Sequence, residues 1–143
     1  MSLETLMSTE LLYIDMDDTL ETAEKIFDEH GIHHLLVTEN KKLVGVITVA
    51  DLYKHLSPNV GTRKETQADI SLLHQKAHQI MSRNLTTAKP DMGIYDAVLK
   101  FSDNKVSCLP IVDDEGKPVG ILTWRDILSI LAAQYRQRIA KGN

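Results

Sequence analysis

The residues best suited to binding chemistry lie in a seven-residue pattern that occurs twice. Gly45–Asp51 and Gly120–Asp126 both read glycine, two apolar residues, threonine, two variable residues and aspartate. A strand that runs into Thr-x-x-Asp predicts a helix start. There the threonine hydroxyl accepts from the third backbone N–H, and the carboxylate accepts from the threonine N–H. This capping box is common, so one copy alone indicates a helix N-terminus and no ligand.

The same atoms can also bind a nucleotide. A helix N-terminus presents N–H groups and partial positive charge to a phosphate, and a carboxylate one turn in accepts hydrogen bonds from a ribose diol. Neighbouring strand edges can pair with the polar edge of adenine through backbone groups. A cap alone tolerates Ser, Asn or Asp at its first position. Retention of Thr-x-x-Asp in both copies therefore favours binding, and none of this chemistry needs a catalytic residue.

The two copies belong to an internal repeat of about half the chain. A shift of 74 residues aligns Met7-Ser8 with Met81-Ser82, and a shift of 75 aligns the two glycines of the pattern. Further identical pairs keep their order: Leu11/Leu85, Asp17/Asp91, Ala23/Ala97, Phe27/Phe101, Leu35/Leu109, Lys42/Lys117 and Val44/Val119. Chance does not explain such a series, so we expect two copies of one structural unit.

Each copy is predicted to fold as β-α-β-β-α, which places the chain in the α/β (α+β) class. Extended segments near Leu11–Ile14 and Leu85–Ala88 come first. A helix follows in each copy, with apolar residues at i, i+3 and i+7. Two short apolar runs around a polar turn then predict a hairpin. The final helix begins at Thr48 in one copy and Thr123 in the other, and the latter extends to about Ala140.

The repeat bounds predict the domain organisation. We assign residues 1–56 to the first repeat and residues 81–143 to the second repeat with a C-terminal helix. Residues 57–80 form a linker, in which helical spacing from Ile70 to Ile80 predicts one short helix after a loop. One unit of about 50 residues is marginal alone, so the two copies are expected to bury their sheets against each other.

The repeat resembles a tandem pair of CBS domains, the modules named after cystathionine β-synthase. Besides the two Thr-x-x-Asp ends, the strands Gly31–Val37 and Lys105–Ile111 and the opening Met81–Asp91 carry this resemblance. It covers residues 7–56 and 81–131. It implies two CBS repeats packed as a pseudo-twofold intramolecular pair with two clefts.

The resemblance also implies a ligand and its contacts. CBS pairs bind AMP, ADP, ATP or S-adenosylmethionine without catalysis and with no required cofactor, so it implies a regulatory module, for example in energy sensing. The matching positions are Thr48, Asp51, Thr123 and Asp126 for ribose and phosphate, Tyr13 and Thr87 beside adenine, and His33, His34, Ser107 and Cys108 towards the phosphates. Pro110 matches the proline of the second strand motif, where the first copy has Leu36. The arginines frequent in the family at the phosphate-facing strand positions are absent here.

Charge predicts that the two sites differ. Residues 1–56 contain four lysines and eleven acidic residues, a net charge of −7, whereas residues 81–143 carry +2. Arg125 precedes Asp126, and a guanidinium can bind a phosphate through two parallel hydrogen bonds. The second site is therefore predicted to bind an anionic ligand more tightly.

Composition narrows the classes of partner and compartment. The 143-residue chain has a formal charge of −4 and a pI of 5.8, which argues against a nucleic-acid partner. No apolar run approaches the ~18 residues of a membrane span, so no membrane partner is expected. The one cysteine, Cys108, supports no disulfide framework, and no secretion leader opens the chain. A cytoplasmic location is expected.

A rival interpretation is enzymatic. Leu11–Leu20 resembles the first motif of haloacid-dehalogenase-type phosphatases, with Asp15 as nucleophile, Asp17 as general acid/base and Mg²⁺ held by carboxylates. The repeat argues against it, because Asp15 aligns with Lys89. Acidic residues there also suit a helix start. We therefore expect no enzyme, and keep the phosphatase as the less favoured alternative.

The remaining expectations concern metals and partners. His33 and His34 fall in a predicted strand and point to opposite faces, so no metal site is expected, and Cys108 is expected to be a small buried hydrophobe. Apolar residues on the last helix predict a homodimer: Ile127, Leu128, Leu131 and Tyr135. A non-binding dimerisation scaffold is the main alternative function, and a separate effector protein is a possible partner.

Overall fold

The computed structural model describes residues 1–142; Asn143, the last residue of the second predicted repeat, lies outside the described residues. This part of the chain is a mixed α+β protein, as the sequence predicts, and none of its helices has the length and apolarity to cross a membrane. Its elements are β1 (Tyr13–Asp15), α1 (Leu20–His30), β2 (His34–Glu39), β3 (Lys42–Thr48), α2 (Val49–His55), α3 (Gln67–Leu73), α4 (Ala77–Ile80), α5 (Ile94–Asn104), β4 (Cys108–Val112), β5 (Pro118–Thr123) and α6 (Trp124–Gly142).

The chain divides into two compact units. The first unit is Leu12–Leu85, and the second unit joins Met1–Leu11 to the chain from Thr86 onward. The opening segment of the first sequence repeat therefore belongs to the second unit, and residues 81–85 of the second repeat belong to the first.

The first unit is built on a three-stranded sheet of order β1-β2-β3. β1 runs parallel to β2, and β2 and β3 form the predicted antiparallel hairpin. Asn40 and Lys41 turn the hairpin with φ of 50° and 66°, the positive values that a two-residue turn needs to match strand twist. The predicted apolar face of α1 is buried in the core beneath this sheet, at Leu20, Ala23 and Phe27.

The second unit contains the hairpin of β4 and β5, with α5 and α6 packed on its core. The extended segment predicted near Leu85–Ala88 is not a full strand. It contributes one parallel bridge, between Ala88 and Ile111. Pro90 follows two residues later and has no N–H to continue the pairing, which limits the segment to this single bridge.

Each hairpin gains a further short partner on its other edge from the Met-Ser pair of the other sequence repeat. Ser8 exchanges two backbone hydrogen bonds of 3.1 Å with Ile121, and Ser82 exchanges bonds of 2.9 and 3.1 Å with Val46. These bridges lie within the second and first unit, respectively. Each preceding methionine then lies directly over the glycine that opens the Thr-x-x-Asp pattern.

The methionine contacts explain why both patterns begin with glycine. A Cβ added to Gly45 would lie 2.7 Å from Met81 Cγ, and a Cβ added to Gly120 would lie 2.7 Å from Met7 Cγ. Both distances are far below carbon–carbon contact. The glycines are therefore fixed by close packing, not by an unusual backbone conformation.

The linker departs from the sequence prediction. Two helices, α3 and α4, replace the single short helix expected there. The break has a local cause, because Gln75 and Lys76 pair with the start of α1 instead of continuing a helix. The Leu20 N–H donates to Gln75 O at 2.9 Å, and Thr19 forms an antiparallel bridge with Lys76.

The methionine–glycine contact yields a stability prediction. Gly45→Ala should lower the free energy of unfolding by about 1–3 kcal/mol, the usual cost of overpacking a buried site, as measured by urea denaturation. Gly142→Ala is the matched control, because nothing lies within 4 Å of its added Cβ. Met81→Ala should cost less in the Gly45→Ala background than in the native protein. Equal costs in both backgrounds would show that the two residues are not coupled.

Candidate functional site

Thr48 and Asp51 form a capping box where β3 passes into α2. The Asp51 N–H donates to Thr48 Oγ1 at 3.0 Å, and the Thr48 N–H donates to Asp51 Oδ2 at 3.2 Å. Thr48 is extended, as an N-cap residue must be, and the next turn is anchored by buried Leu52. The local role of this motif is thus the structural one.

Thr123 and Asp126 repeat this arrangement at the start of α6. The Thr123 N–H donates to Asp126 Oδ2 at 2.8 Å, and the Asp126 N–H donates to Thr123 Oγ1 at 3.2 Å. Both boxes use the same carboxylate oxygen. In the described residues no protein donor reaches the other oxygen of either aspartate, so each carboxylate keeps an acceptor for a ligand while the cap is intact.

A third capping box shows that Thr-x-x-Asp is not specific for a ligand. Thr66 and Asp69 cap α3 with hydrogen bonds of 2.8 and 3.2 Å, far along the chain from either hairpin. This copy lacks the preceding glycine and apolar strand, and sequence reasoning passed over it. The context that distinguishes a candidate site is therefore the strand before the threonine.

The first unit brings its site residues to one end of its sheet. His34 pairs with Thr48 across the hairpin, and the Val49 N–H donates to His33 O at 3.0 Å. His33 is exposed and His34 half-buried. Tyr13 is the first residue of β1 and pairs with Leu36, two residues after His34 on β2. Its side chain is 56% exposed.

The second unit groups its residues in the same way. Cys108 pairs with Thr123, and the Trp124 N–H donates to Ser107 O at 3.3 Å. Pro110 is buried in β4, and its carbonyl accepts from the Ala88 N–H at 3.0 Å, which places Thr87 beside this strand.

Arg125 stacks on a neighbouring aromatic ring, and Cys108 is buried. Arg125 is exposed, and its guanidinium lies over the Trp124 ring, 5.4 Å from the centroid. A cation in this position is attracted by the indole face, so anion binding would compete with the stacking. Burial raises the pKa of the Cys108 thiol to about 12, which agrees with the expected small buried hydrophobe.

The acidic residues of the proposed phosphatase motif accept hydrogen bonds from backbone N–H groups in their own turns. Asp15 Oδ1 accepts from the Asp17 N–H at 2.9 Å, and Asp18 Oδ2 accepts from the Asp15 N–H at 2.8 Å. Asp113 closes the turn between β4 and β5, where the Lys117 N–H and then the Glu115 N–H hold the pKa of its carboxyl below the usual range. Among residues 1–142, no group of three or more His, Cys, Asp or Glu side chains has the geometry of a metal site.

One residue of the second unit was missed by sequence reasoning. Lys100, on α5, donates through Nζ to Thr87 O at 2.7 Å. The repeat alignment could have pointed to it, because Lys100 aligns with Ile26. The neighbouring aligned positions on this helix face are apolar in both copies. A charged residue at one copy of a core-flanking position marks a difference between the two sites.

Comparison with known proteins decides the family. A family model described as CBS domain matches residues 3–58 and 77–133. The chain belongs to the CBS domain family. The CBS domain pair of protein MJ0100, solved in complex with 5'-methylthioadenosine and S-adenosyl-L-methionine, superposes with a TM-score of 0.77 at 28% identity over 94% of this chain and 98% of that one.

Curated relatives show the CBS pair in chains of different length. A CBS domain-containing protein of Dictyostelium discoideum is 33% identical over 128 residues, 88% of each chain. The L-aspartate semialdehyde sulfurtransferase of Methanocaldococcus jannaschii is 39% identical over 106 residues, 73% of this chain and 18% of that protein. This chain spans only 18% to 38% of the length of the first four curated relatives.

The environment of Cys108 predicts an inert thiol. Because only the thiolate is nucleophilic, a pKa of about 12 and 8% exposure should keep Cys108 unmodified by iodoacetamide at pH 8 in the native protein. Alkylation should reach completion once the protein is unfolded in urea, as followed by mass spectrometry. Rapid modification of the native protein would show that the end of β4 opens to solvent.

Proposed function

We propose that this chain is a non-catalytic regulatory module that binds an adenosine-containing ligand at its two Thr-x-x-Asp ends. The observation that carries the proposal is the match to the MJ0100 pair, whose structure holds two adenosyl ligands, over nearly the whole of both chains. Regulation of a separate effector protein, energy sensing and a cytoplasmic location remain predictions from the resemblance.

The chemistry of the two ends supports this assignment. At each end the aspartate oxygen outside the capping box can accept from a ribose hydroxyl, and the threonine hydroxyl, which uses its oxygen for the cap, retains its proton for donation. The basic side chain next to Asp126 in the sequence, Arg125, stacks on Trp124, and the strand positions where the family often has arginine carry none. We therefore expect methylthioadenosine, S-adenosylmethionine and AMP to bind better than ATP.

The proposal includes no catalytic step, and the environments of two candidate nucleophiles support this. Cys108 is buried with a raised pKa, and the Asp15 carboxylate is held by the N–H of its own turn. A thiol with a raised pKa is a weak nucleophile, and Asp15 Oδ1 already accepts a hydrogen bond from the Asp17 N–H.

Calorimetric titration with methylthioadenosine, S-adenosylmethionine, AMP, ADP and ATP tests the proposal. Asp51→Ala and Asp126→Ala should each weaken binding at their own end about ten- to hundredfold, because a hydrogen bond to a charged group contributes about 1.5–3 kcal/mol.

Asp69→Ala is the matched control for both variants. It removes the same half of a capping box from α3 and should leave the affinities unchanged. Equal losses in all three variants would assign the aspartates to capping alone. No heat with any adenosyl ligand at millimolar concentration would favour the scaffold function instead.

We also propose that α6 pairs with a second copy of this chain. Ile127, which the sequence predicts on the exposed face, is instead buried in the core of the second unit. Trp124, Leu128, Leu131 and Tyr135 are 45% to 60% exposed and follow each other at intervals of four, three and four residues. This is the spacing of a coiled-coil seam, whose natural complement is another helix with the same seam. Trp124 and Leu128 also line an apolar groove of about 180 Å³ shared with α5, which extends the surface. A twofold pairing buries the stripe of both copies at once.

The dimer has a direct test in light scattering. At micromolar concentration the native protein should show twice the 16.1 kDa chain mass, and Leu131→Glu should reduce it to the chain mass because a carboxylate is costly to bury in the seam. Ser129→Glu, an exposed position about a third of a turn from the seam, is the control and should remain dimeric. A native mass of one chain would refute the pairing.

A further inference from the structure

The strand edge at Thr87 differs in chemistry from its counterpart at Tyr13. In the second unit the Ala88 N–H donates to Pro110 O at 3.0 Å, and Ala88 O accepts from the Val112 N–H at 2.9 Å. Backbone groups of successive residues in an extended segment point to opposite sides. The Thr87 carbonyl therefore points away from β4, towards the open edge, and there it accepts from Lys100 Nζ.

Lys100 brings more than one donor to this edge. An ammonium group has three N–H donors and no acceptor. Within residues 1–142, Thr87 O is the protein acceptor of Lys100 Nζ, and no ion pair holds this side chain. Two N–H donors therefore remain for water or a ligand at the edge. The side chain is half-buried, so the ammonium is held at this position and not dispersed in solvent.

The first unit has no such donor. Tyr13 occupies the equivalent place, since its neighbour Ile14 pairs with Val37 as Ala88 pairs with Ile111. The residue equivalent to Lys100 is Ile26, whose side chain packs against the core. The edge at Tyr13 thus offers the N–H and C=O of the backbone alone, whereas the edge at Thr87 adds the donors of a cation beside its carbonyl.

We propose that Lys100 sets the base preference of the second unit, which favours purines with an oxygen at position 6, while the first unit favours purines with an amino group there. The proposal rests on the proposed function, because it needs the strand edge to face the base. The 6-amino group of adenine is a donor, and the 6-oxygen of hypoxanthine or guanine is an acceptor. An amino group would share Thr87 O with the ammonium and could not accept from its other donors, whereas a 6-oxygen accepts from the donors that remain.

AMP and IMP are the probes, because they share ribose and phosphate and differ in the hydrogen-bonding edge of the purine. Calorimetry on the full chain carrying Asp51→Ala isolates the second unit, and Asp126→Ala isolates the first. IMP should bind about tenfold more tightly than AMP to the second unit, and AMP more tightly than IMP to the first. Tenfold corresponds to about 1.4 kcal/mol, close to the lower end of what one hydrogen bond to a charged group contributes.

Lys100→Met, which keeps the side-chain length and removes the donors, should abolish the preference of the second unit for IMP. Lys100→Gln, a neutral donor, should retain part of it and serves if the methionine variant folds poorly. Lys141→Met removes the same charge from the end of α6 and should change nothing. The proposal is overturned if Lys100→Met still binds both nucleotides and leaves the ratio of their dissociation constants unaltered. That result leaves the proposed function standing. Failure of both nucleotides to bind overturns this proposal, and the proposed function falls with it only if methylthioadenosine and S-adenosylmethionine also give no heat.

Discussion

The close packing of a methionine on a glycine is the constraint on which both halves of the molecule depend. Gly45 and Gly120 have no room for a Cβ, because Met81 and Met7 lie directly over them. In each unit this contact joins a hairpin to a segment from the other sequence repeat, and the adjoining serine completes the sheet. The glycine also stands three residues before the threonine cap. The packing thus fixes the strand whose end positions the candidate site.

The candidate site and the scaffold use the same atoms. Thr48 and Asp51 satisfy the first N–H groups of α2, and Thr123 and Asp126 do so for α6. Such a site is held rigid before any ligand arrives, which lowers the ordering cost of binding. This double use also means that the capping box alone does not identify a binding site. Thr66 and Asp69 form the same box at a helix with no predicted ligand.

Local sequence patterns predicted most of the architecture, but they did not predict the contacts between distant segments. The hairpins, the α1 face and the helix starts at Thr48 and Thr123 follow from periodicity and capping and are confirmed. Assignment of the Met-Ser pairs to opposite units requires contacts about 40 and 110 residues apart, which no local pattern encodes. The break before α4 likewise comes from pairing with α1. The alignment shows a lysine at position 100 where the other repeat has an apolar residue. Only the structure shows that its ammonium contacts Thr87 O, and that contact is the basis for a proposed role.

A crystal structure of the chain grown with saturating methylthioadenosine tests the central claim most directly. The account predicts a ribose hydroxyl within hydrogen-bond distance of the Asp51 or Asp126 carboxylate oxygen that lies outside the capping box, with both capping hydrogen bonds preserved. The purine should lie against the strand edge at Tyr13 or Thr87. A ligand bound elsewhere, or a box that opens to admit it, would contradict the claim that one pair of residues serves both cap and ligand.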